Sequence, residues 1–217
     1  MIIIQNFIVL EGNDGSGTST QLALIRRRFD APGASLPLLY NTCEPTGGPI
    51  GVLIRKALGG ELSLQGETLA RLFAADRHEH LYGEGGIIGR ARRGELVISD
   101  RYVLSSLVYQ GITCGEELPR ALNAGFPLPE ALLYFDVDPE LALKRMEKRP
   151  SRDIYEYPDF QRAVRERYGA LLPWYADQGV RVHSIDASMP QEEVAEAVWR
   201  VLENLPIVKG MNLKGGE

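Results

Sequence analysis

An apolar segment that ends in a glycine-rich turn constrains this chain more than any other feature. Ile2–Leu10 is almost entirely apolar, and shortly after it the sequence reads Gly12-Asn13-Asp14-Gly15-Ser16-Gly17-Thr18-Ser19. Apolar residues then recur at helical spacing, at Leu22, Ile25 and Phe29. Glycines let the backbone curl until successive N–H groups face one anion, and the helix N-terminus behind them adds partial positive charge. We therefore expect a phosphate to bind where this strand turns into a helix.

Apolar segments alternate with helix-period segments along the chain. Five of them have the length of buried strands: Ile2–Leu10, Leu36–Tyr40, Leu96–Ser99, Ala131–Val137 and Val180–Ile185. This alternation predicts an α/β fold of the P-loop NTPase type, a mostly parallel five-stranded sheet with helices on both faces and ligands at the carboxyl ends of the strands. Because 217 residues is an ordinary length for one α/β unit, we expect residues 1–217 to form a single domain.

Charge and composition exclude several classes of protein. The 24 Lys+Arg and 29 Asp+Glu residues give a net charge of -5, which argues against a nucleic-acid binder or a binder of anionic membranes. No apolar stretch reaches the roughly 18 residues of a membrane span, and Met1–Leu10 lacks the basic start of a signal peptide. Cys43 and Cys114 lie too far apart in sequence to suggest a cysteine metal site. We expect a cytoplasmic protein whose tail, about residues 206–217, frays.

One position of the phosphate loop departs from the usual P-loop pattern. Ser19 stands where a hydroxyl would bind Mg²⁺, but Thr18 occupies the position of the phosphate-binding lysine. The residues expected to contact the phosphates of a nucleotide are Gly12, Asn13, Asp14, Gly15, Ser16, Gly17, Thr18, Ser19 and Thr20. Considered alone, the segment is also compatible with a glycine-rich turn that binds no ligand.

Four motifs in a fixed order narrow the choice. They are Glu11-Gly12-Asn13-Asp14-Gly15-Ser16-Gly17, Glu44-Pro45-Thr46, Leu72-Phe73-Ala74-Ala75-Asp76-Arg77, and Asp100-Arg101-Tyr102 with Ser105-Ser106 and Tyr109-Gln110-Gly111. Together they resemble the thymidylate kinase (dTMP kinase) family, and the likeness extends from about Phe7 to about Glu203. The resemblance implies a nucleoside monophosphate kinase domain that transfers a phosphoryl group from ATP to dTMP with Mg²⁺, giving dTDP and ADP for dTTP synthesis, and that forms a homodimer.

The same resemblance assigns roles to individual residues. Arg77 and Arg101 would hold the dTMP phosphate, since guanidinium groups bind phosphate oxygens in bidentate fashion; structural salt bridges are the alternative use of both. Phe73 lies one helical turn before Arg77 and would stack on the pyrimidine, although most apolar helix residues are simply core. Glu44 and Pro45 would face the acceptor.

Further contacts are implied for a polar helix after the Asp100-Arg101 pair. Ser106, Tyr109 and Gln110 would contact base and sugar, unless they only form a polar helix face. Asp14 would be a partner of the acceptor phosphate, its metal or the deoxyribose, and Asp100 would hold Mg²⁺ together with Ser19, through water. His78 and His80 are two apart on a helix and do not face each other, so we expect surface histidines rather than a metal pair.

The segment of about residues 148–158 is the expected lid. Arg149 and Arg152 flank Pro150-Ser151, where the family usually shows an Asp-Arg pair in the opposite order. Closure would bring guanidinium groups onto the triphosphate and exclude water, so Arg149 and Arg152, with Asp14 and Arg101, are the expected catalytic residues, and the first two would supply the charge that Thr18 cannot. A solvated basic helix end is the other use of the lid arginines. Two alternatives to a dTMP kinase stay open: a nucleoside monophosphate or deoxynucleoside kinase with another acceptor such as dUMP, and a catalytically weak nucleotide-binding protein.

Overall fold

A computed structural model describes residues 2–33, 35–147 and 153–212. The strands are β1 Ile3–Gly12, β2 Leu39–Cys43, β3 Leu96–Asp100, β4 Leu128–Asp136 and β5 Arg181–Asp186. The helices are α1 Thr18–Phe29, α2 Pro49–Leu58, α3 Gly66–Tyr82, α4 Ile87–Arg92, α5 Val103–Cys114, α6 Glu117–Asn123, α7 Pro139–Met146, α8 Pro158–Asp177, α9 Gln191–Leu202 and α10 Pro206–Asn212.

The five strands form one parallel sheet in the order β2-β3-β1-β4-β5. β1 is central, with Leu10 beside Asp100 of β3 and Gly12 beside Phe135 of β4. The carboxyl ends of β1 and β3 are therefore neighbours, and the residues that follow each strand meet at one edge of the sheet. This confirms the predicted α/β architecture.

Both faces of the sheet are covered, because alternate residues of β1 point into two separate cores. Phe7 and Val9 pack with side chains of α2–α5 and α8, whereas Ile8 and Leu10 pack with side chains of α1, α7, α9 and α10. All four of these β1 residues are completely buried. Such burial on both faces is why the strands read as continuous apolar runs rather than as alternating patterns.

The structure differs from the sequence-based expectations at two places. The second strand was predicted at Leu36–Tyr40 but is Leu39–Cys43, so Glu44 directly follows it. The tail from 206 was expected to fray, yet residues 206–212 form α10, because Val208 is fully buried in the same core cluster as Leu202 and Leu205; residues 213–217 lie outside the described part. Among the helices described, none combines the length and apolar composition needed to cross a membrane.

Candidate active site

The phosphate loop connects β1 to α1 and curls tightly. Gly15 has φ +81°, and a Cβ at this position would lie only 2.4 Å from the carbonyl oxygen of Ala142 on α7. Gly17 has φ +96° and immediately precedes Thr18, the first residue of α1. Both positions therefore require glycine. The loop brings the N-terminus of α1, with its partial positive charge, to the carboxyl end of the central strand.

Buried polar atoms without a hydrogen-bond partner in the described structure concentrate around this loop. They include both amide atoms of Asn13, Ser16 Oγ, Gln21 Oε1 and Asp100 Oδ1. Buried polar groups are nearly always paired in folded proteins, so such a concentration is typical of a site that a polar ligand completes. Thr18 itself is 5% exposed and brings no charge to the loop.

Asp14, the acidic residue inside the loop, has a partner for each carboxylate oxygen. Arg101 Nη2 donates to Oδ1 at 2.9 Å, and Gln161 Nε2 of α8 donates to Oδ2 at 2.8 Å. The backbone N–H of Asp14 donates to Gln161 Oε1 at 3.1 Å. The negative charge that Asp14 brings to the phosphate loop is thus offset by an arginine.

Ser19 and Asp100, the two expected metal ligands, lie together. The Ser19 hydroxyl donates to Asp100 Oδ2 at 2.6 Å, while Oδ1 of the same carboxylate accepts no hydrogen bond in the described structure and lies 4.0 Å from Arg101 Nε. The described residues hold no cluster of three or more His, Cys, Asp or Glu side chains that would bind a metal. One hydroxyl and one carboxylate suit Mg²⁺, which usually completes its shell with water and substrate phosphates.

Arg101 follows β3 with φ +74°, a left-handed conformation that is uncommon for a residue with a side chain. Its Nη1 donates to the carbonyl oxygen of Gly12 and to the hydroxyl oxygens of Tyr168 and Tyr109, at 3.0 and 3.4 Å for the two phenols. Burial opposes its charge, but the facing phenols and the Asp14 and Asp100 carboxylates hold the pKa of Arg101 well above its usual value. Arg101 is therefore a permanent cation between the loop and the adjoining cleft.

The cleft beside the loop has a cavity volume of about 190 Å³. Its walls combine aromatic and polar side chains, including Asp14, Pro45, Phe73, Arg101, Tyr109 and Gln110. Pro45 follows a cis peptide bond, and the next residue, Thr46, donates its backbone N–H and its hydroxyl to Asp76 at 2.7 and 2.6 Å. Phe73 is half-buried: it packs against the core and also lines the cleft.

Arg77 is embedded in the inner wall of this cleft, with 1% of its surface exposed. Its guanidinium donates to Glu44, to Asn123, to Ser106 Oγ and to the carbonyl oxygen of Tyr102. All of these partners belong to the protein itself, whereas the sequence predicted that the Arg77 guanidinium would bind a phosphate. The salt bridge to Glu44, 2.7 Å at its shortest, is a structural use of Arg77, but its partner follows β2 and is not a neighbour on the same helix, as the sequence alternative had it.

His80 is the clearest correction among the histidines. It was expected at the surface, but it is 8% exposed and joins β2 to the Arg77 network. Its Nδ1 lies 3.0 Å from Glu44 Oε1, and its Nε2 lies 2.6 Å from the Thr42 hydroxyl. The exposure of His78 agrees with the prediction that His78 and His80 do not face each other on α3. Sequence alone does not show which face of α3 packs against β2.

The three polar residues of α5 are all buried beside the cleft. Ser106 accepts from Arg77, and Tyr109 lies above the Arg101 guanidinium, 5.5 Å from ring centre to carbon. Gln110 is 2% exposed and its Oε1 has no partner among the described residues, so it can accept from a ligand edge. Burial raises the pKa of Tyr109 well above its usual value, although the charge of Arg101 acts in the opposite direction, and the phenol stays neutral.

The described part of the segment expected to form the lid also reaches the cleft. Asp153 and Tyr155 line it, and Gln161 Nε2 donates to the carbonyl oxygen of Tyr155 at 3.0 Å. Burial, together with the nearby charge of Asp14, raises the pKa of Asp153 to about 7. Arg149 and Arg152, the arginines expected to replace the loop lysine, lie outside the described residues.

A second depression lies on the other side of the loop and includes Ser16, Gly17, Thr20 and Arg145. Arg145 projects from α7 and donates to the carbonyl oxygen of Ala187 at 2.8 Å. The arrangement places a cation and a concave surface next to the loop, opposite the acceptor cleft.

Sequence reasoning missed the buried residues that support the site from behind. Three of them are completely buried: Glu11, Gln161 and Tyr168. Gln161 binds Asp14 of the loop, Tyr168 binds Arg101, and Glu11 binds Tyr168. Glu11 belonged to a recognised motif but received no role. Gln161 and Tyr168 lie on α8 without a motif, and only their three-dimensional contacts identify them.

Comparison with known proteins agrees with this geometry. The sequence model of the thymidylate kinase family, "Thymidylate kinase", matches residues 10–198. A "Putative thymidylate kinase" of Treponema pallidum (strain Nichols) is 42% identical over 208 residues, which cover 94% of this chain and 97% of the relative. A "Probable thymidylate kinase" of Pyrobaculum aerophilum is 41% identical over 201 residues, covering 92% and 97%. With a phosphate loop, an acceptor cleft and a match over most of its length, the chain belongs to the thymidylate kinase family.

Proposed function

We propose that the protein transfers the γ-phosphoryl group of ATP to dTMP, giving dTDP and ADP. The junction of the loop and the cleft is the observation that carries this proposal: Asp14 belongs to the phosphate loop, Arg101 is bound to it, and both line the cleft. A triphosphate on the loop and an acceptor phosphate in the cleft would therefore meet beside these two residues. Membership of the thymidylate kinase family supports the same reaction.

The chemistry asks for positioning rather than for a general base. The attacking phosphate oxygen of a nucleoside monophosphate is already ionised near neutral pH, since its second pKa is about 6. The protein has to hold two polyanions in line and neutralise them. We assign the dTMP phosphate to Arg101, whose guanidinium faces the loop. Because the Arg77 side chain is only 1% exposed, against 16% for Arg101, we assign Arg77 to shaping the inner wall around Phe73 and Gln110.

Mg²⁺ is the metal that the donor set fits. Ser19 and Asp100 Oδ1, which accepts no hydrogen bond in the described structure, would hold Mg²⁺ directly or through water, together with ATP phosphates. When bound, Mg²⁺ would neutralise charge on the triphosphate. The part played by this chain is to keep one hydroxyl and one carboxylate together at the start of α1.

Thr18 is the observation that supports a second candidate function, nucleotide binding with little turnover. A loop without the lysine lacks one preorganised cation, a loss that typically lowers the rate about 10²–10³-fold. Unless Arg149, Arg152 or another cation compensates, the protein would bind nucleotide with little turnover. We propose compensation by the lid, because Arg101, Asp14, Ser19 and Asp100 together form a site that binding alone does not require.

A cytoplasmic location, one domain over residues 1–217 and a homodimer are further proposals that follow from the sequence and the family resemblance. Light scattering after gel filtration tests the dimer: a mass near 48 kDa supports it, twice the 24.1 kDa of the chain, and a mass near 24 kDa contradicts it.

The decisive experiment measures Mg²⁺-dependent ADP formation from ATP with dTMP, dUMP, CMP, AMP and thymidine as separate acceptors. Turnover that saturates with dTMP and is selective for it supports the proposal. Saturation with another acceptor alone points to a different kinase. Absence of turnover, with recovery in Thr18→Lys, would identify a nucleotide-binding protein in which only the loop cation is missing.

A further inference from the structure

Glu11, the residue before the phosphate loop, is a completely buried carboxylate with four hydrogen-bond donors around it. Its Oε1 accepts from the backbone N–H groups of Tyr102 and Ser105, at 3.0 and 3.3 Å. Its Oε2 accepts from the Ser105 hydroxyl at 2.6 Å and the Tyr168 hydroxyl at 2.8 Å. Burying a carboxylate costs free energy unless hydrogen bonds compensate it. The four donors provide this compensation, which indicates that a carboxylate is needed at position 11.

The first link from Glu11 to Arg101 runs through the backbone. Arg101 has φ +74°, a strained conformation that persists only where surrounding contacts enforce it. Its own N–H donates to the carbonyl oxygen of Leu10 at 2.9 Å, and the next N–H, that of Tyr102, donates to Glu11. The chain is thus fixed to two consecutive residues of β1, once at Arg101 and once just after it.

The second link runs through side chains. The Tyr168 phenol lies between Glu11 and Arg101, 2.8 Å from the carboxylate and 3.0 Å from Arg101 Nη1. Because the phenol donates its proton to Glu11, its oxygen stays free to accept from the guanidinium. The charge of Glu11 therefore fixes the direction of the hydrogen bond that Arg101 makes.

From these two links we propose that Glu11 is a positioning residue for Arg101, holding its backbone in the left-handed conformation and aiming its guanidinium at the acceptor phosphate. This inference rests on the proposed function, in which Arg101 binds that phosphate. A merely structural role for Glu11 would instead tie α5 to β1 without any selective effect on phosphate binding.

Glu11→Gln separates the two roles. The glutamine oxygen can still accept from the backbone N–H groups, but its amide nitrogen donates to the Tyr168 oxygen and competes there with Arg101. The second variant is Tyr168→Phe, which keeps the hydrogen bonds from the backbone N–H groups to Glu11 and removes only the hydroxyl that bridges Glu11 and Arg101. The matched control is Glu130→Gln, since Glu130 is also buried, at 5% exposure, and accepts from the Asn6 N–H at 2.6 Å at the far end of the sheet.

The measurements are the dissociation constant of dTMP by calorimetry, the inhibition constant of thymidine, the KM of ATP and the Tm. We expect Glu11→Gln to weaken dTMP binding about tenfold or more, the usual effect of losing a hydrogen bond to a charged group. Thymidine, which has no phosphate, and ATP should change by less than about twofold by the same reasoning. Tyr168→Phe should change the same quantities in the same direction. Glu130→Gln should leave the constants for dTMP, thymidine and ATP unchanged, and only its Tm should fall, because the variant weakens the ion pair of Glu130 with Arg181.

The proposal is overturned if Glu11→Gln binds dTMP like the unmodified protein, or if thymidine weakens by the same factor, because Glu11 would then shape the whole cleft. Should Glu11→Gln fail to fold, Tyr168→Phe decides by the same criteria. Binding of dTMP without turnover in the unmodified protein would contradict the proposed function alone, and the comparison of dissociation constants would still test Glu11. Absence of dTMP binding in the unmodified protein overturns both.

Discussion

The Arg101 guanidinium donates to the Asp14 carboxylate at 2.9 Å, which pairs the acidic residue of the phosphate loop with the cation of the acceptor cleft. The second oxygen of Asp14 is held by Gln161 at 2.8 Å. Asp14 therefore cannot move toward a bound phosphate without losing one of these bonds, and Arg101 cannot move away without leaving Asp14 Oδ1 without its charged partner. The loop and the cleft are coupled through this pair.

Replacing Arg101 by lysine should lower kcat/KM for dTMP about 10²–10³-fold, the usual cost of removing one preorganised electrostatic donor. Lysine keeps the charge but cannot form the planar fork that reaches Gly12, Asp14 and the two phenols together. Steady-state kinetics with varied dTMP measure the effect. Arg27→Lys, the same change at an exposed position of α1, is the control, and equal kinetics for the two variants would remove Arg101 from the site.

His80 and His78 offer a matched pair on one helix. His80→Leu should lower the free energy of unfolding by about 1–3 kcal/mol, since it leaves Glu44 Oε1 and the Thr42 hydroxyl without their partner in a buried place. The KM for dTMP should rise, because Glu44 also holds Arg77 in the cleft wall. His78→Leu, at an exposed position, should stay within about 0.5 kcal/mol of the parent. Urea unfolding and kinetics measure both; equal losses would contradict the role of His80.

The sequence predicted the elements of this fold because its signals are local. Ile2–Leu10 and the loop after it specify strand, turn and helix within about twenty residues, and the sheet follows from repeated strand–helix alternation. The supports of the site could not be predicted in this way. Gln161 is 147 positions from Asp14, to which it binds, and neither its residue type nor its spacing predicts this contact. Which face of a helix meets which strand is decided by packing, as His80 shows.

Asp153 should make stability depend on pH. Its pKa is raised to about 7 by burial and by Asp14, so between about pH 4 and 7 the folded state binds more protons at this carboxyl than the unfolded state does. Its contribution to stability is therefore complete at low pH and lost as the pH rises through 7. The urea midpoint of the ligand-free protein should fall over this range, and less so in Asp153→Asn.

The difference between parent and variant is the informative quantity, because burial also raises the pKa of Glu11, and any effect of Glu11 is common to both proteins. Parallel midpoint curves for the parent and Asp153→Asn would mean that Asp153 ionises normally in the folded protein.

Gly15 should tolerate alanine less well than another glycine with the same backbone. Gly15 and Gly94 have φ +81° and +80°, so both alanine variants bear the strain of a left-handed residue, about 1–2 kcal/mol. A Cβ at Gly94 meets nothing within 4 Å, whereas one at Gly15 would lie 2.4 Å from the carbonyl oxygen of Ala142. Because backbone of α7 cannot yield easily, Gly15→Ala should lose about 1–3 kcal/mol more stability than Gly94→Ala. It should also weaken ATP binding, since the loop would have to move away from α7. Urea unfolding of both variants, with ATP titrated by calorimetry, checks this; equal losses with unchanged ATP affinity would show that the loop does not depend on its packing against α7.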